Sequence, residues 1–254
     1  MSNDNKHSAY SNKKTKKGPK RNNHKLPDKI LAIPNMDKTF QEKWHDGRNL
    51  LNFPHSWRCV ITARPNTGKT TIIKNILIRQ DPMFQRIYVV HIDPDTLDYD
   101  DVDGCHIIDS IPHRSDPIFN GRYKTLIILD DLEYKFMDKK QLRNLDRLFG
   151  YVSSHKNVSC AVISQDAYNI PPCVRRMSNI WILGRINNDM SSFHTIAGKC
   201  GMKREDFDYI FDRYITGDHD TLWIDRTKNT PAEHRINGYT IIDKNNGYEP
   251  KTSI

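Results

Sequence analysis

The amino-acid sequence predicts an α/β fold in which helices flank a mostly parallel central sheet. Short apolar runs recur along the chain, and segments with apolar residues at helical spacing separate several of them. Apolar strands that alternate with helices are typical of a parallel sheet that is buried on both faces. The expected strands are residues 58–62, 86–92, 106–108, 126–129, 158–163, 179–183, 221–225 and 238–242. The expected helices cover 71–79, 139–151 and a helical region over 191–215.

The chain has 254 residues, a length that suits one such domain with terminal extensions. It carries 39 Lys and Arg against 31 Asp and Glu, which gives a formal charge of +8. This balance favours a polyanionic partner, of which nucleic acid is the commonest. A soluble protein with a basic tail would show the same charge, so both interpretations stay open.

Composition divides the chain into four parts. Residues 1–27 are rich in Lys and Arg with Ser, Asn, Gly and Pro between them, which predicts a disordered basic arm. This arm could neutralise DNA phosphates, contact an acidic protein surface, direct nuclear import or only increase solubility. Residues 28–57 are expected to form an irregular lead-in, 58–245 the α/β domain, and 246–254 a C-terminal tail.

Five cysteines are scattered along the chain without the spacing of a zinc site or a disulfide framework. We therefore expect a reducing compartment and no structural metal. The first residues lack the apolar segment of a signal peptide, and no apolar stretch approaches the roughly 18 to 20 residues that a membrane span requires. These features predict a soluble intracellular protein with no membrane partner.

The segment Ala63-Arg64-Pro65-Asn66-Thr67-Gly68-Lys69-Thr70 fits the phosphate-binding pattern G-x-x-x-x-G-K-[ST] except at its first position. In this pattern a tight loop points backbone N–H groups at the phosphates, and the following helix adds the partial positive charge of its N-terminus. Lys69 is expected to reach the β- and γ-phosphates of ATP, and the Thr70 hydroxyl to bind Mg²⁺. The expected ATP-binding residues are Arg64, Pro65, Asn66, Thr67, Gly68, Lys69, Thr70 and Thr71.

The departure at Ala63 matters because alanine is restricted at positive φ, where glycine is not. An apolar strand precedes the loop and an apolar-periodic helix starts at the lysine, so the context still supports a phosphate loop. Residues 58–245 are therefore interpreted as a P-loop ATPase domain.

An acidic pair follows the apolar run 126–129. Asp130 is the expected Mg²⁺ ligand, because a carboxylate at the end of a buried strand can meet the metal at the edge of the sheet. Asp131 stands where many such enzymes have a glutamate that orients and deprotonates the attacking water. Aspartate is one methylene shorter, and Glu133 is a second candidate for this base.

Strand 86–92 is expected to lie between the strand of the phosphate loop and the acidic strand. This order fits the RecA-like (ASCE) branch of P-loop NTPases, which has a strand inserted between the two and is rich in motors. A further buried strand is then expected, with a polar end that touches the γ-phosphate from beside the loop. Ser164-Gln165 ends such a strand, so Gln165 is interpreted as the γ-phosphate sensor, with an ordinary strand-ending glutamine as the alternative.

A Pro-Pro turn and two arginines, Arg175 and Arg176, follow this strand. Such a pair suits an arginine finger that stabilises charge on the phosphoryl group of the adjacent subunit. Arg175 is the first candidate, and Arg185 is a third. The alternative is a solvated or DNA-facing basic pair.

The order of these elements resembles the packaging ATPases of large DNA viruses and their virophage relatives, the poxvirus A32-like group of the FtsK–HerA superfamily. The resemblance covers about 55–230. It is carried by Trp57-Arg58-Cys59-Val60-Ile61 before the Gly-Lys-Thr loop, the Asp-Asp element of 126–132, Ser154-His155-Lys156 before the strand that ends in Gln165, and Ile170-Pro171, Arg175 and Asn179 after it. A lone histidine such as His155 is more typical of a loop-ordering residue than of a catalyst.

The resemblance implies a ring-forming, ATP-driven translocase that moves double-stranded DNA into a preformed capsid. Arg175 would then complete the site of the neighbouring subunit. The implied partners are double-stranded DNA, other copies of the chain, and a capsid protein at a packaging vertex. The implied location is the virion or the viral factory in the host cell. Relatives vary at the first loop glycine and at the second acid. Ala63 and Asp131 are therefore expected to affect the rate of ATP hydrolysis more than the class of protein.

Two other functions fit the same motifs. One is a small P-loop kinase that acts on a nucleotide or metabolite. The other is an ATP-binding switch or assembly factor with little hydrolysis, which the residues at 63 and 131 keep open.

Overall fold

A ten-stranded sheet forms the centre of the protein in the computed structural model, which describes residues 42–186 and 190–251. The basic arm expected over 1–27 lies outside the described residues. The strands are β1 Arg58–Thr62, β2 Arg86–His91, β3 Cys105–Ile108, β4 Thr125–Asp130, β5 Val158–Ser164, β6 Ile180–Gly184, β7 Thr221–Asp225, β8 His234–Ile236, β9 Thr240–Asp243 and β10 Glu249–Pro250.

The strand order across the sheet is β10-β9-β8-β7-β6-β1-β5-β4-β2-β3. The strands from β6 to β3 pair in parallel, whereas β6 to β10 pair in antiparallel fashion. The α/β class with a mostly parallel central sheet is therefore confirmed, with an antiparallel extension on one side.

The strand inserted between β1 and β4 in space is β5, and β2 lies on the far side of β4. The expectation that strand 86–92 lies between the phosphate-loop strand and the acidic strand is thus wrong for the folded sheet, although it holds along the chain. Chain order and sheet order differ because each parallel connection crosses a face of the sheet and can skip a position. The inserted strand is the one that ends at Ser164 and precedes Gln165.

The helices pack on the faces of this sheet. They are α1 Lys69–Ile78, α2 Lys139–Arg147, α3 Ser153–His155, α4 Pro172–Met177, α5 Ser191–Lys199 and α6 Arg204–Tyr214. A π-helical segment, Leu148–Val152, joins α2 to α3, and Gly201 with a φ of 77° separates α5 from α6. The long helical regions expected from the sequence are therefore broken into shorter pieces.

Two local elements, α4 and β8, were not predicted from the sequence. Helix α4 was expected as a turn, and its start fits the preference of proline for the first turn of a helix. The strand expected over 238–242 is present as β9, but β8 before it was not predicted, and the two form a hairpin turned by Asn237 with φ 51° and Gly238 with φ 83°. Positive φ at both residues favours a tight hairpin turn, and the return strand begins at Thr240.

The core lies on both faces of the sheet, because successive strand residues point to opposite sides. In β1, Val60 packs into one apolar cluster, and Cys59 and Ile61 pack into the other. Phe149 of the π-helical segment belongs to the first cluster and Ile73 of α1 to the second. Within the described residues, no helix is both long and apolar enough to span a membrane.

The described part of the lead-in, 42–57, is anchored by a buried ion pair. Arg235 and Asp225 are both 0% exposed and lie 3.1 Å apart. The Arg235 guanidinium lies over the rings of Phe53 and Trp223 and also donates to the carbonyl of Leu50. The irregular lead-in is therefore part of the packed domain. At the other end, Glu249–Pro250 in the expected C-terminal tail pairs with β9.

Asp225→Asn is expected to lower the free energy of unfolding by about 3–5 kcal/mol, since it leaves the buried Arg235 cation without its counter-charge. Urea unfolding followed by tryptophan fluorescence measures this loss. Asp212→Asn, a matched change at an exposed position of α6, is expected to have no effect. Equal unfolding midpoints for the two variants would contradict the structural role of the pair.

His55 predicts a pH dependence of stability. The side chain is buried, and its Nδ1 lies 2.8 Å from the Ser159 hydroxyl. Its buried Nε2 has no partner in the part of the chain that the structure describes. Burial, and then the nearby Lys124 charge, lower the pKa of His55 from 6.5 to about 4.

Because this pKa is lower in the folded than in the unfolded chain, the contribution of His55 is complete above about pH 6.5. It is lost as the pH falls towards 4, by up to about 3 kcal/mol. Stability curves between pH 7 and 4 are therefore expected to be flatter for His55→Asn than for the exposed His106→Asn. Parallel curves for the two variants would contradict this assignment.

Candidate functional site

The carboxyl ends of three neighbouring strands bring the predicted site residues together. Thr62 at the end of β1 pairs with Ser164 of β5, and Ile163 of β5 pairs with Asp130 at the end of β4. Neighbouring strands lie about 4.8 Å apart, so β1 and β4 are about 10 Å apart across β5. The phosphate loop, Gln165 and the acidic pair thus leave the sheet at one edge.

The phosphate loop has the backbone shape that anion binding requires. Asn66 and Gly68 have φ values of 61° and 82°, which turn the chain tightly before α1 begins at Lys69. The loop therefore leads directly into the N-terminus of a ten-residue helix, where free N–H groups attract anions. The chain has the P-loop NTPase fold.

Lys69 is held across the loop. Its Nζ donates to the carbonyl of Arg64 at 2.9 Å, and the Thr67 hydroxyl donates to the same oxygen at 2.8 Å. Burial lowers the pKa of Lys69, while the charges of Asp131 and Asp130 act in the opposite direction. The lysine is thus a largely buried cation at the centre of the predicted cluster.

Ala63 does not need the freedom of glycine in this structure. Its φ is negative, unlike those of Asn66 and Gly68. Space is the limiting factor instead: a Cβ added at Gly184 of β6 would lie 2.7 Å from the Cβ of Ala63. The pattern has glycine where this chain has Ala63, and the methyl group of Ala63 fits because the adjacent strand has glycine at position 184.

Asp130 lies buried at the end of β4, and the Tyr99 hydroxyl donates to its Oδ2 at 2.5 Å. Burial raises the pKa of Asp130, and the bond from Tyr99 opposes that effect. A carboxylate and the Thr70 hydroxyl in the first turn of α1 are hard oxygen donors, which Mg²⁺ prefers. The donor chemistry therefore fits Mg²⁺ with a nucleotide. Among the residues described, no group of three or more His, Cys, Asp or Glu side chains could hold a metal by itself.

Asp131 and Gln165 are hydrogen-bonded to each other. The Gln165 Nε2 donates to the Asp131 Oδ2 at 2.8 Å, and the Asp131 backbone N–H donates to the carbonyl of Ile163 at 3.1 Å. Asp131 has a φ of 45°, a left-handed conformation that aspartate adopts more readily than most residues. This backbone gives a physical reason for aspartate at 131. Both residues line a cleft of about 240 Å³ with the exposed Glu133.

Arg175 and Arg176 lie away from this edge. They are in the last turn of α4, and Asn179 just beyond donates its backbone N–H to the carbonyl of Arg58, the first residue of β1. The pair therefore lies at the amino edge of the parallel strands. Since β1 has five residues, the two edges are about 16 Å apart. The arginine pair does not reach the phosphate loop of its own chain.

Arg185 lies at the edge of the phosphate loop, where its carbonyl accepts the Arg64 backbone N–H at 2.8 Å. Its guanidinium donates to the carbonyl of Thr216 in the same chain. His155 is exposed, its ring centre lies 4.8 Å from that of Tyr151 at a tilt of 33°, and it precedes β5 at the opposite edge. Neither residue is arranged around the acidic pair.

Sequence reasoning missed Tyr99 and the loop that precedes β7. In that loop, Asp218 forms an ion pair with Arg64, and the His219 Nδ1 would lie 3.6 Å from a Cβ at Gly68. The signal for Tyr99 was a single tyrosine in an aspartate-rich segment, Asp93 to Asp103. Nothing in the sequence near 218 marks it as a neighbour of the phosphate loop.

No protein-family model matches the chain, and no curated protein matches its sequence. Similar solved structures include the DNA-packaging ATPase B204 from Sulfolobus Turreted Icosahedral Virus, with 15% identity and a TM-score of 0.48 over 72% of this chain and 97% of that one. They also include the pCW3 conjugation coupling protein TcpA, with 13% identity and a TM-score of 0.43 over 68% of this chain and 58% of that one.

A third similar structure is the cytoplasmic domain of the Thermomonospora curvata Type VII Secretion ATPase EccC, with 11% identity and a TM-score of 0.45 over 67% of this chain and 24% of that one. The B204 protein is a viral DNA-packaging ATPase, the kind of protein that the sequence resembles. All three similarities are low in sequence and in structure, with identities of 11–15% and TM-scores of 0.43–0.48.

Gly184→Ala is expected to lower the free energy of unfolding by about 1–3 kcal/mol, because the new methyl group would overlap that of Ala63. Adding Ala63→Gly removes the obstructing methyl, so the double variant is expected to recover most of the loss. Urea unfolding and ATP affinity are the measurements. The control is Gly198→Ala on α5, where an added Cβ meets nothing within 4 Å. A double variant no better than Gly184→Ala would show that the two methyl positions are not coupled.

Proposed function

We propose that the chain is an ATPase that couples ATP hydrolysis to the translocation of double-stranded DNA and packages a viral genome into a preformed capsid. One observation carries the ATPase part of the proposal: Lys69, Asp130, Asp131 and Gln165 meet at one edge of the sheet, and Gln165 is bonded to Asp131. The resemblance in the sequence supports the DNA and packaging parts.

ATP binding is assigned to the loop from Arg64 to Thr71. The backbone N–H groups of the loop and of the first turn of α1 would surround the phosphates, and Lys69 would release the carbonyl of Arg64 to contact them. Asp130 and Thr70 would hold Mg²⁺, which, when bound, neutralises charge on the β- and γ-phosphates.

Hydrolysis needs a base beside the γ-phosphate, and Asp131 is the residue assigned to it. One of its oxygens accepts the hydrogen bond from Gln165, so the carboxylate has a defined direction. The amide of Gln165 has a second hydrogen, which would contact the γ-phosphate. Gln165 would thus contact both the γ-phosphate and Asp131, so that loss of the γ-phosphate would alter the hydrogen bond to the base. Glu133 in the same cleft is the second candidate.

The position of Arg175 supports an action on another subunit. The arginine is at the opposite edge from its own phosphate loop, and its buried Nε has no hydrogen-bond partner among the residues described. The adjoining cleft of about 460 Å³ is also lined by Arg176, Lys199 and Arg226. Such a basic face suits the phosphates held by a neighbouring copy in a ring.

The charge of +8 agrees with DNA as the substrate. The basic arm expected over 1–27 is proposed to contact either DNA or a capsid protein at the packaging vertex. The virion or the viral factory is the proposed location.

The test is steady-state ATP hydrolysis with and without long double-stranded DNA. DNA is expected to stimulate hydrolysis, and Lys69→Ala is expected to abolish it. Arg175→Ala is expected to lower the rate by about 10³-fold or more, the magnitude typical of an arginine finger. Arg122→Ala, at an exposed position that lines neither cleft, is the matched control and is expected to keep the wild-type rate.

Mixing Lys69→Ala with Arg175→Ala protein tests the contribution between subunits. The Lys69→Ala subunit still offers Arg175 to a neighbour with an intact phosphate loop, so part of the activity is expected to return. A rate of ATP turnover that changes neither with DNA nor on mixing the two variants would indicate a monomeric P-loop enzyme such as a kinase. ATP binding without turnover, even with DNA, would indicate a nucleotide switch.

A further inference from the structure

We propose that Tyr99 is a positioning residue that holds the Asp130 carboxylate in the orientation needed to bind the divalent cation of a nucleotide. The inference deepens the proposed function and rests on its metal–nucleotide site. It concerns the segment from Asp93 to Asp103 between β2 and β3, here called the acidic loop.

The contact between Tyr99 and Asp130 is short and enclosed. The Tyr99 side chain is 2% exposed, Asp130 is 3% exposed, and the hydroxyl lies 2.5 Å from Oδ2. Within the described residues, this is the one hydrogen bond made by the Asp130 side chain. The orientation of the carboxylate therefore depends on a single donor.

The acidic loop has a local structure that keeps Tyr99 in place. The Val102 N–H donates to the Tyr99 carbonyl at 3.0 Å, and the Asp100 N–H donates to the Leu97 carbonyl at 3.2 Å. Val102 also packs against the apolar cluster that contains α1. The loop thus has internal turns and an apolar anchor.

Lys74 of α1 joins the loop to the phosphate-binding helix. Its Nζ lies 2.6 Å from the Asp101 Oδ1 and 6.0 Å from the centre of the Tyr99 ring. Since α1 begins at Lys69, one loop contacts both the helix that starts at the phosphate loop and the acid at the end of β4. The acidic loop thereby links the phosphate-binding helix α1 to Asp130, the expected metal ligand.

A donor of this kind is useful to a metal ligand. A carboxylate with one oxygen fixed presents the other in a defined direction, and partners of metal ligands commonly set the affinity for the metal. A hydroxyl can fill this role without adding a charge that would compete with the cation. An alternative role is purely structural, in which the bond only satisfies a buried acid.

The experiment compares Tyr99→Phe with wild type in Mn²⁺ binding, in the presence of a non-hydrolysable ATP analogue. Free Mn²⁺ is measured by electron paramagnetic resonance. Removal of the hydroxyl is expected to weaken Mn²⁺ binding by about 10-fold or more. Affinity for the analogue in EDTA is expected to stay unchanged, and the urea midpoint without metal is expected to fall, because the buried Asp130 carboxylate loses its hydrogen bond. A purely structural role would lower the midpoint and leave Mn²⁺ binding as in wild type.

The matched control is Tyr88→Phe on β2, whose ring packs against His106 and whose hydroxyl has no hydrogen-bond partner in the described part of the chain. It is expected to bind Mn²⁺ like wild type. Equal Mn²⁺ affinity of Tyr99→Phe and wild type would overturn the inference. Wild type that binds no Mn²⁺ with the analogue would instead overturn the proposed nucleotide site, so the two failures are distinguishable.

If Tyr99→Phe does not fold, Asp101→Asn takes its place, because it loosens the acidic loop at an exposed position. Loss of an exposed ion pair is then expected to weaken Mn²⁺ binding about two- to fivefold. Unchanged binding in that variant would overturn the role of the loop.

Discussion

The packing of β5 between β1 and β4 is the constraint on which the rest of the site depends. Parallel hydrogen bonding fixes the register of the three strands, so their carboxyl ends lie at one level. The phosphate loop, Gln165 and the acidic pair each continue one of these ends. A buried strand cannot slip in register without moving its apolar residues off the core, which makes this geometry rigid.

Two residues that depart from common patterns are explained by their immediate surroundings. Ala63 has negative φ and needs space, which Gly184 on the neighbouring strand provides. Asp131 occupies a left-handed backbone conformation that suits aspartate, and Gln165 supplies a partner for its shorter side chain. Both departures are therefore compatible with a working phosphate site, because Gly184 lies on the strand beside β1 and Gln165 directly follows the strand beside β4.

The acidic and the basic site residues lie at opposite ends of the parallel strands. Acids and the phosphate loop lie at the carboxyl edge, whereas Arg175 and Arg176 lie at the amino edge. A single copy cannot use both in one reaction. This separation is what links the proposed chemistry to assembly, since the basic edge of one copy would meet the nucleotide of another.

The sequence by itself determined the α/β class, most strand positions, the phosphate loop and the acidic pair, because these depend on short apolar runs and on motifs within a few residues. It did not determine the strand order, the hairpin of β8 and β9, or helix α4, since pairing partners and turns depend on packing between distant segments. The contacts of Tyr99 with Asp130 and of Ala63 with Gly184 join residues 31 and 121 positions apart. Only the tertiary structure decided them, because a hydrogen bond or a steric contact depends on distance in space and leaves no periodic trace along the chain.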